Sequence, residues 1–201
     1  MILPVEIAVE GLTDEVVMKR LLDQVGLPYG HTYGKRGKDH ILKALNNYNQ
    51  AARHSPWVVL VDLDDEPECA PLLVRQHLPR PNTGMKFRVA VRAIEAWLLA
   101  DRDTLAEFLA VSRNRLPSQP ETEPDPKATL ISLARQSRRR DVRDGMVPRP
   151  GSGAKVGPDY IAYLTQYVTH LWRPDVAAQH SDSLRRCIEA LQTLKNWTPA
   201  P

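Results

Sequence analysis

Apolar residues in the first 116 positions of the chain fall into alternating strand-like and helix-like segments. Short apolar runs rich in β-branched residues predict strands over residues 4–9, 57–61 and 87–91, with a further short strand at 31–33. Between these runs, apolar side chains at helical spacing predict helices at 13–25, 41–48, 70–77, 94–100 and 103–111. The unbroken run at 57–61 is typical of a parallel strand covered on both faces.

This alternation predicts an α/β fold with a mainly parallel, Rossmann-like sheet of about four strands and flanking helices. Beyond residue 116 a stretch rich in Pro and Glu leads to three predicted helices, at 127–136, 159–171 and 183–194. Thr13 and Asp125 are the predicted N-caps of two helices. We therefore divide the chain into an α/β core at 1–116 and a basic helical C-terminal region at 117–201 that packs on the core.

The composition is that of a globular protein, with 42% hydrophobic and 25% charged residues. No apolar run reaches the ~18 residues of a transmembrane helix. The first residues also lack the basic region and cleavage site of a signal peptide. Cys69 and Cys187 lack metal-ligand spacing and are too few for a disulfide framework, which favours a reducing compartment. We expect a cytoplasmic protein without membrane association.

Charge is unevenly distributed along the sequence. Net charge is −4 over residues 1–70, +2 over residues 71–124 and +5 over residues 125–201. An acidic first part and a basic last part suit a metal centre beside a phosphate-binding surface. Chance asymmetry explains the same distribution, so the pattern alone leaves both interpretations open.

The first acidic motif is Glu10-Gly11-x-x-Asp14, at the end of the first predicted strand. Glu10 ends the strand and Asp14 lies in the first turn of the next helix, so both carboxylates could reach one metal ion. Gly11 allows a sharp turn. The alternative for Asp14 and Glu15 is a favourable interaction with the helix dipole.

The second motif, Asp62-x-Asp64, follows the apolar strand at 57–61. Carboxylates at the ends of parallel strands converge on one edge of the sheet, where ligands bind in this fold class. Grouped carboxylates repel one another and need a cation, for which Mg²⁺ or Mn²⁺ is best suited. The alternative is an Asp-rich turn, and Asp65 and Glu66 are expected to be solvated turn residues.

Three further features could contribute to such a site. Glu95 is an acid in an apolar segment, where it would be a metal ligand or pair with Arg88 or Arg92. Lys155 lies in a Gly/Ser/Pro loop, where it could stabilise developing charge on a phosphate or be a surface lysine. The remaining feature is a cluster of arginines that could contact phosphates or form a solvated helix end, namely Arg138, Arg139, Arg140 and Arg143.

Other chemistries lack their motifs in this sequence. The six histidines show no HxxxH or similar spacing, and no Walker A motif or GxGxxG is present. Ser152 lies in Gly-Ser-Gly and not in a nucleophile elbow. These observations argue against a His-based zinc site, a P-loop and a hydrolase triad.

Taken together, Glu10-Gly11-x-x-Asp14, Asp62-x-Asp64 and the α/β alternation resemble the TOPRIM fold of topoisomerases, primases and the overcoming-lysogenisation-defect nucleases. More closely, the chain resembles small bacterial TOPRIM-like proteins of phage-defence contexts, often encoded beside ABC- or AAA-type ATPases. The segments that carry this closer resemblance extend over most of the chain, namely 61–65, 88–101, 125–127, 156–160 and 183–186.

The resemblance implies a two-metal nuclease that cleaves DNA or RNA, with an ATPase as partner. In that case Mg²⁺ or Mn²⁺ would be held by Glu10, Asp14, Asp62, Asp64 and Glu95. Glu10 would also take part in catalysis. Lys155 would be the catalytic lysine, with Lys127 as the reserve. The arginine cluster at 138–143 would follow the nucleic-acid backbone.

Two alternatives remain open from the sequence. One is a non-catalytic module that binds a metal or nucleotide and regulates an ATPase complex. The other is a phosphotransfer domain of the receiver or haloacid-dehalogenase type, although these require their acidic motif after the first strand. Self-association through the helical C-terminal region is left open as well.

Overall fold

The structure is a computed structural model, in which residues 3–64 and 69–199 are described. The chain forms two compact units. Unit 1 comprises residues 1–91 and 183–201, and unit 2 comprises residues 92–182. Unit 1 is therefore discontinuous in sequence.

Unit 1 is an α/β unit built on a four-stranded sheet with the order β2-β1-β3-β4, and every strand pair in it is parallel. In chain order its elements are β1 (Val5–Val9), α1 (Leu12–Val25), β2 (Tyr29–Gly34), α2 (Lys38–Ala51), β3 (Trp57–Asp62), α3 (Ala70–His77) and β4 (Met85–Ala90). The last helix of the chain, α10 (Asp182–Gln192), falls in unit 1 from Ser183 onward. The predicted α/β class, parallel sheet and flanking helices are confirmed.

The central strands β1 and β3 are almost entirely buried on both faces, as the apolar run at 57–61 predicted, whereas the edge strand β2 is partly exposed. Ala8, Val59 and Phe87 lie in register across three strands and belong to one core cluster with residues of α2 and α3. The alternate residues Ile7 and Val58 are also fully buried. Because parallel strands need helical crossovers, helices cover both faces of such a sheet.

Helix α1 begins one residue earlier than predicted. Its first residue is Leu12, Gly11 precedes it in extended conformation, and no side chain caps the helix. The predicted N-cap role of Thr13 is therefore wrong, because Thr13 already lies inside the helix. The turn places Asp14 and Glu15 in the first turn, where acidic side chains are favourable.

All of the regular secondary structure in unit 2 is helical, and loops join its helices. Its α-helices are α4 (Ile94–Ala100), α5 (Arg102–Leu109), α6 (Pro126–Arg135), α7 (Arg140–Met146), α8 (Tyr160–His170) and α9 (Pro174–Ala177). The Asp125 cap of α6 is confirmed, since its Oδ1 accepts a hydrogen bond from the Ala128 amide at 2.8 Å. Helices α7 and α9 were not predicted.

The two units differ from the predicted division at residue 116. The helices α4 and α5 belong with the later helices, because α4 packs on α6 and α9. The end of the chain instead joins the sheet unit, where Ser183 Oγ accepts a hydrogen bond from the Val91 amide at 3.2 Å. The charge asymmetry does not follow this division, since unit 2 has 13 basic and 12 acidic residues.

None of the helices within residues 3–64 and 69–199 has the length and apolar content needed to cross a membrane.

Candidate functional site

Glu10 and Asp62 meet at the carboxyl edge of the unit 1 sheet. Strands β1 and β3 are parallel neighbours, with Val9 opposite Leu60. The residues that follow this pair therefore leave the sheet side by side. Glu10 Oε1 accepts a hydrogen bond from the Asp62 backbone amide at 2.8 Å. The first and second acidic motifs are joined by this bond.

The pKa of the Glu10 carboxyl group is strongly raised. Burial raises its pKa, and the nearby charges of Asp14 and Asp64 raise it further. The hydrogen bond from the Asp62 amide and the charge of Lys38 act in the opposite direction, and the resulting pKa is about 7. The Glu10 carboxyl group is therefore partly protonated near neutral pH, and such raised pKa values are common for carboxyl groups in acidic clusters.

Asp14 is held against this edge by the turn between β1 and α1. Its residue is buried, with 7% of its surface exposed. A Cβ atom at position 11 would lie 3.1 Å from Asp14 Oδ2, which is tighter than ordinary contact. The role of Gly11 is thus to leave room for the Asp14 carboxylate, and its own backbone is extended.

Lys38 is the functional candidate that the sequence analysis missed. Its Nζ donates hydrogen bonds to the Leu63 carbonyl at 3.1 Å and to Asp64 Oδ2 at 3.4 Å. Its side chain is only 13% exposed. The sequence signal was a Gly- and Lys-rich stretch directly after a predicted strand, which places a cation at the same sheet edge as the acids.

Glu15, the neighbour of Asp14, has a different environment. Burial would raise its pKa, but hydrogen bonds from Lys19 and Lys35 outweigh burial and lower the pKa to about 2. The two lysine Nζ atoms lie 2.8 and 2.9 Å from its carboxylate oxygens. Glu15 is therefore a fixed negative charge at neutral pH, with its own counter-ions.

The oxygen donors of Glu10, Asp14, Asp62 and Asp64 have the chemistry that Mg²⁺ and Mn²⁺ prefer. Within the described ranges, however, no three His, Cys, Asp or Glu side chains form a group that could hold a metal ion. Lys38 contacts Asp64, and the Asp62 amide occupies Glu10 Oε1. Metal binding would require these side chains to rearrange. Asp65 and Glu66 lie outside the described residues.

Glu95 belongs to unit 2, where three helix starts meet. It lies in the first turn of α4 and is 2% exposed. Its Oε1 accepts a hydrogen bond from the Tyr160 hydroxyl at 3.0 Å and lies 3.4 Å from Lys127 Nζ. Lys127, the reserve lysine, is thus a partner of Glu95. These three residues come from three of the segments that carried the resemblance.

The predicted phosphate-contacting residues also lie in unit 2. Lys155 is exposed in the loop between α7 and α8. Arg139 pairs with Asp141 at 2.5 Å, and Arg140 pairs with Asp144 at 3.2 Å. The other two arginines bond to carbonyl groups: Arg138 to Ala110, and Arg143 to Ser137. The two ion pairs offset part of the positive charge of the cluster.

Comparisons of the chain with protein-family models, with curated proteins and with solved structures found no match in any of the three.

Proposed function

We propose that the chain is a divalent-metal-dependent nuclease of the TOPRIM-like type, which hydrolyses phosphodiester bonds of DNA or RNA. Glu10, Asp14, Asp62 and Asp64 are the residues that would hold Mg²⁺ or Mn²⁺. When bound, such ions supply a nucleophilic water and neutralise charge on the scissile phosphate. Support comes from the position of the four acids at the carboxyl edge of a parallel sheet, where ligands bind in open α/β folds.

The single observation that carries the proposal is the meeting of the two acidic motifs at the carboxyl edge of the sheet, where Glu10 Oε1 accepts a hydrogen bond from the Asp62 amide at 2.8 Å. Burial and two neighbouring carboxylates also oppose the charge of Glu10 and raise its pKa to about 7, an effect that a proton or a cation relieves. A bound divalent ion would replace the proton. Metal affinity is therefore expected to increase as the pH rises through 7, because the proton then competes less.

Lys38 replaces Lys155 as the proposed lysine of the site. Its contact with Asp64 keeps a cation inside the acidic cluster. Released by a metal ion, the ammonium group would be placed to donate hydrogen bonds to a phosphate oxygen. In this proposal Lys38 takes part in the reaction, and Lys155 in unit 2 has no assigned step.

The test is cleavage of four substrates: supercoiled plasmid, linear duplex, single-stranded DNA and total tRNA. Each is incubated with Mg²⁺, Mn²⁺ or EDTA. We expect metal-dependent cleavage by the wild type. The Asp62→Ala/Asp64→Ala variant should cleave at least about 100-fold more slowly, because groups that stabilise charge in the transition state have effects of that size. Cleavage that survives this double substitution would contradict the proposal.

Matched controls separate the site from general charge effects. Asp23→Ala/Asp175→Ala removes two exposed acids elsewhere and should cleave like the wild type. Lys38→Ala should lose activity, whereas Lys195→Ala, which removes an exposed lysine elsewhere in unit 1, should not. Equal activity of Lys38→Ala and Lys195→Ala would remove Lys38 from the mechanism.

A non-catalytic metal- or nucleotide-binding module is the second candidate. It is favoured by the internal Lys38–Asp64 contact and by the lack of a preassembled group of three ligands in the described residues. Calorimetry that detects Mg²⁺ or Mn²⁺ binding without cleavage of any substrate would favour it. Both candidate functions include an ATPase partner and a role in phage defence. Adding the partner should therefore change the cleavage in the first case and the binding in the second.

A further inference from the structure

A row of four aromatic rings runs across unit 1 from the edge strand β2 into the core. The ring of His31 lies 6.2 Å from that of Tyr33, and Tyr33 lies 5.0 Å from Trp57. Tyr48 of α2 stacks on Trp57 at 4.9 Å, with an angle of 20° between the rings. Tyr48 also lies 6.3 Å from Tyr33. We call these four residues the aromatic row.

The outer end of the aromatic row faces solvent. The His31 side chain is 84% exposed and Tyr33 is 40% exposed, whereas Trp57 at the inner end is 6% exposed. Packing alone accounts for the inner rings, which belong to the core cluster or border it. It does not account for two ring-bearing side chains presented to water on an edge strand. Part of the surface of each of these two rings is therefore accessible to a partner.

The sequence around the aromatic row is mostly basic, although one carboxylate lies beside it: Glu6 Oε2 is 3.6 Å from His31 Nδ1. Between Asp23 and Asp62 the sequence has five lysines and arginines, three histidines and a single acidic residue, Asp39. Arg36, Lys43 and Arg53 are exposed. Phosphate groups are the complementary partner of such a surface.

The aromatic row leads toward the acidic cluster. In the sheet, Tyr33 pairs with Ala8 and Gly34 pairs with Val9, the residue before Glu10. The Lys35 amide bonds to the Val9 carbonyl at 2.8 Å, so the strand continues to that edge. At about 3.3 Å per residue, Tyr33 lies roughly 7 Å along the strand direction from Glu10.

From these observations we propose that the aromatic row is a stacking platform for single-stranded nucleic acid. Unpaired bases stack on Tyr33 and His31, and Arg36 and Lys43 contact the phosphates. Bases of a duplex are stacked inside the helix and cannot reach the rings, so the platform selects single strands. Binding to the platform does not depend on the proposed nuclease function. Only cleavage after binding rests on that function, and its substrates would then be single strands.

The test measures binding without cleavage. A fluorescently labelled 20-mer of dT or U and a duplex of equal length are titrated with the full chain in EDTA, and anisotropy is recorded. Tyr33→Ala should weaken single-strand binding by roughly 5- to 100-fold, the effect of losing one base–aromatic stack. Tyr33→Phe keeps the ring and should bind within about 2-fold of the wild type, because stacking does not need the hydroxyl.

Tyr29→Ala is the matched control. Tyr29 lies on the same strand, is 39% exposed and lies beneath Lys19, outside the aromatic row. Its removal should leave binding within about 2-fold, because it provides no stack in this proposal. Equal losses for Tyr29→Ala and Tyr33→Ala would overturn the platform. Equal affinity for duplex and single strand, or no binding of either, would overturn it as well.

Two further measurements distinguish loss of the platform from a folding defect and from failure of the nuclease proposal. Photo-cross-linking of a 5-iodouracil oligonucleotide to the wild type should label Tyr33 or His31, and labelling confined to other residues would contradict the platform. The Asp62→Ala/Asp64→Ala variant should bind single strands at least as tightly as the wild type, because it removes two negative charges near the platform. If it binds but neither it nor the wild type cleaves, the nuclease proposal fails and the platform remains.

Discussion

At the scale of single residues, the Glu10 carboxyl group determines how the site responds to pH. Its pKa of about 7 exceeds the ordinary value of 4.5, so the folded protein binds this proton more tightly than the unfolded chain does. The stability that depends on Glu10 is therefore complete below pH 4.5 and decreases as the pH rises through 7.

We predict that Glu10→Gln, measured in EDTA, is more stable than the wild type at pH 8 and nearly equal to it at pH 5. Discounted for partial exposure, the difference at pH 8 is about 1–2 kcal/mol. Thermal unfolding across this pH range is the measurement. On the proposed function, saturating Mn²⁺ should reverse the order at pH 8, because a bound ion would stabilise the wild-type carboxylate cluster.

Glu15→Gln is the control, for which we expect the opposite change in stability at pH 8. The pKa of Glu15 is lowered to about 2, so its charge stabilises the folded state above pH 4.5 and this contribution is lost as the pH falls toward 2. Its replacement should lower the melting temperature at pH 8. If both variants shifted stability in the same direction, the opposed environments described for the two carboxylates would be wrong.

In unit 2 the ion pair of Asp101 with Arg173 is the clearest single-residue determinant of stability. Asp101 is fully buried, and Arg173 binds it through Nη2 at 2.6 Å and Nε at 3.1 Å. Arg173→Ala should cost about 1–3 kcal/mol, because the buried carboxylate loses a counter-ion that is itself 43% exposed but keeps its bond from the amide of residue 173. Arg113→Ala, which breaks an exposed pair with Asp103, should cost less than about 1 kcal/mol in the same denaturant titration.

Residue positions were predictable from sequence only where strand order decides them. Glu10 and Asp62 follow neighbouring parallel strands, so their contact follows from the fold class. The approach of Lys38 to Asp64 depends on the path of the β2–α2 connection, which apolar spacing does not specify. Likewise, Tyr160 reaches Glu95 from 65 residues away, through helix packing that no local pattern reports.

At the scale of elements, the sheet was the most predictable part because its strands are apolar runs with polar ends. Helix α7 was missed for the converse reason, since its sequence Arg-Asp-Val-Arg-Asp-Gly-Met is mostly charged. Tertiary contacts provide what local pattern lacks, as its buried residues Val142 and Met146 indicate. Helix propensity is a weak prior in such short segments.

The β2–α2 connection offers a matched pair of glycines that tests how tightly the elements pack. Gly34 and Gly37 have φ values of +89° and +83°, which disfavour a side chain in both cases. A Cβ at Gly34 would lie closer than 3.0 Å to Ile41 Cδ1 and the Val9 carbonyl, whereas a Cβ at Gly37 meets nothing within 4 Å.

We predict that Gly37→Ala costs about 1–3 kcal/mol, from backbone strain alone. Gly34→Ala should cost about 1–3 kcal/mol more, because it adds overpacking between β1 and α2. Urea titration of both variants gives the two values. Equal costs would mean that the α2 start adapts to the added methyl group, and that the close approach of these elements is not required.

At the scale of the whole molecule, unit 1 depends on two distant parts of the sequence, whereas unit 2 is continuous. The α10 helix buries Leu184, Cys187 and Leu191. The Trp197 indole bonds to Thr83 Oγ1 at 3.2 Å. The sequence could not indicate this return of the chain, because an amphipathic helix does not specify which element covers its apolar face.

A fragment of residues 92–182 is therefore expected to fold alone, with a helical circular-dichroism spectrum and a cooperative melting transition. A chain that ends at residue 182 should keep the transition of unit 2 and lose about 3–6 kcal/mol of unit 1 stability, the value of burying two leucines. Hydrogen exchange resolved by peptide measures both effects. Unchanged protection of the β-strands in the shortened chain would contradict the division.

Because unit 1 consists of two separate sequence segments, its two parts are synthesised at different times. Residues 1–91 leave the ribosome before unit 2, and the helix that completes them is made only after a further 91 residues. At about 5–20 residues per second, the nascent sheet waits roughly 5–20 s for its last helix. Unit 2 can complete its fold in that interval. Residues 92–182 thus form the unit that matures first, and the sheet that carries the acidic cluster is completed last.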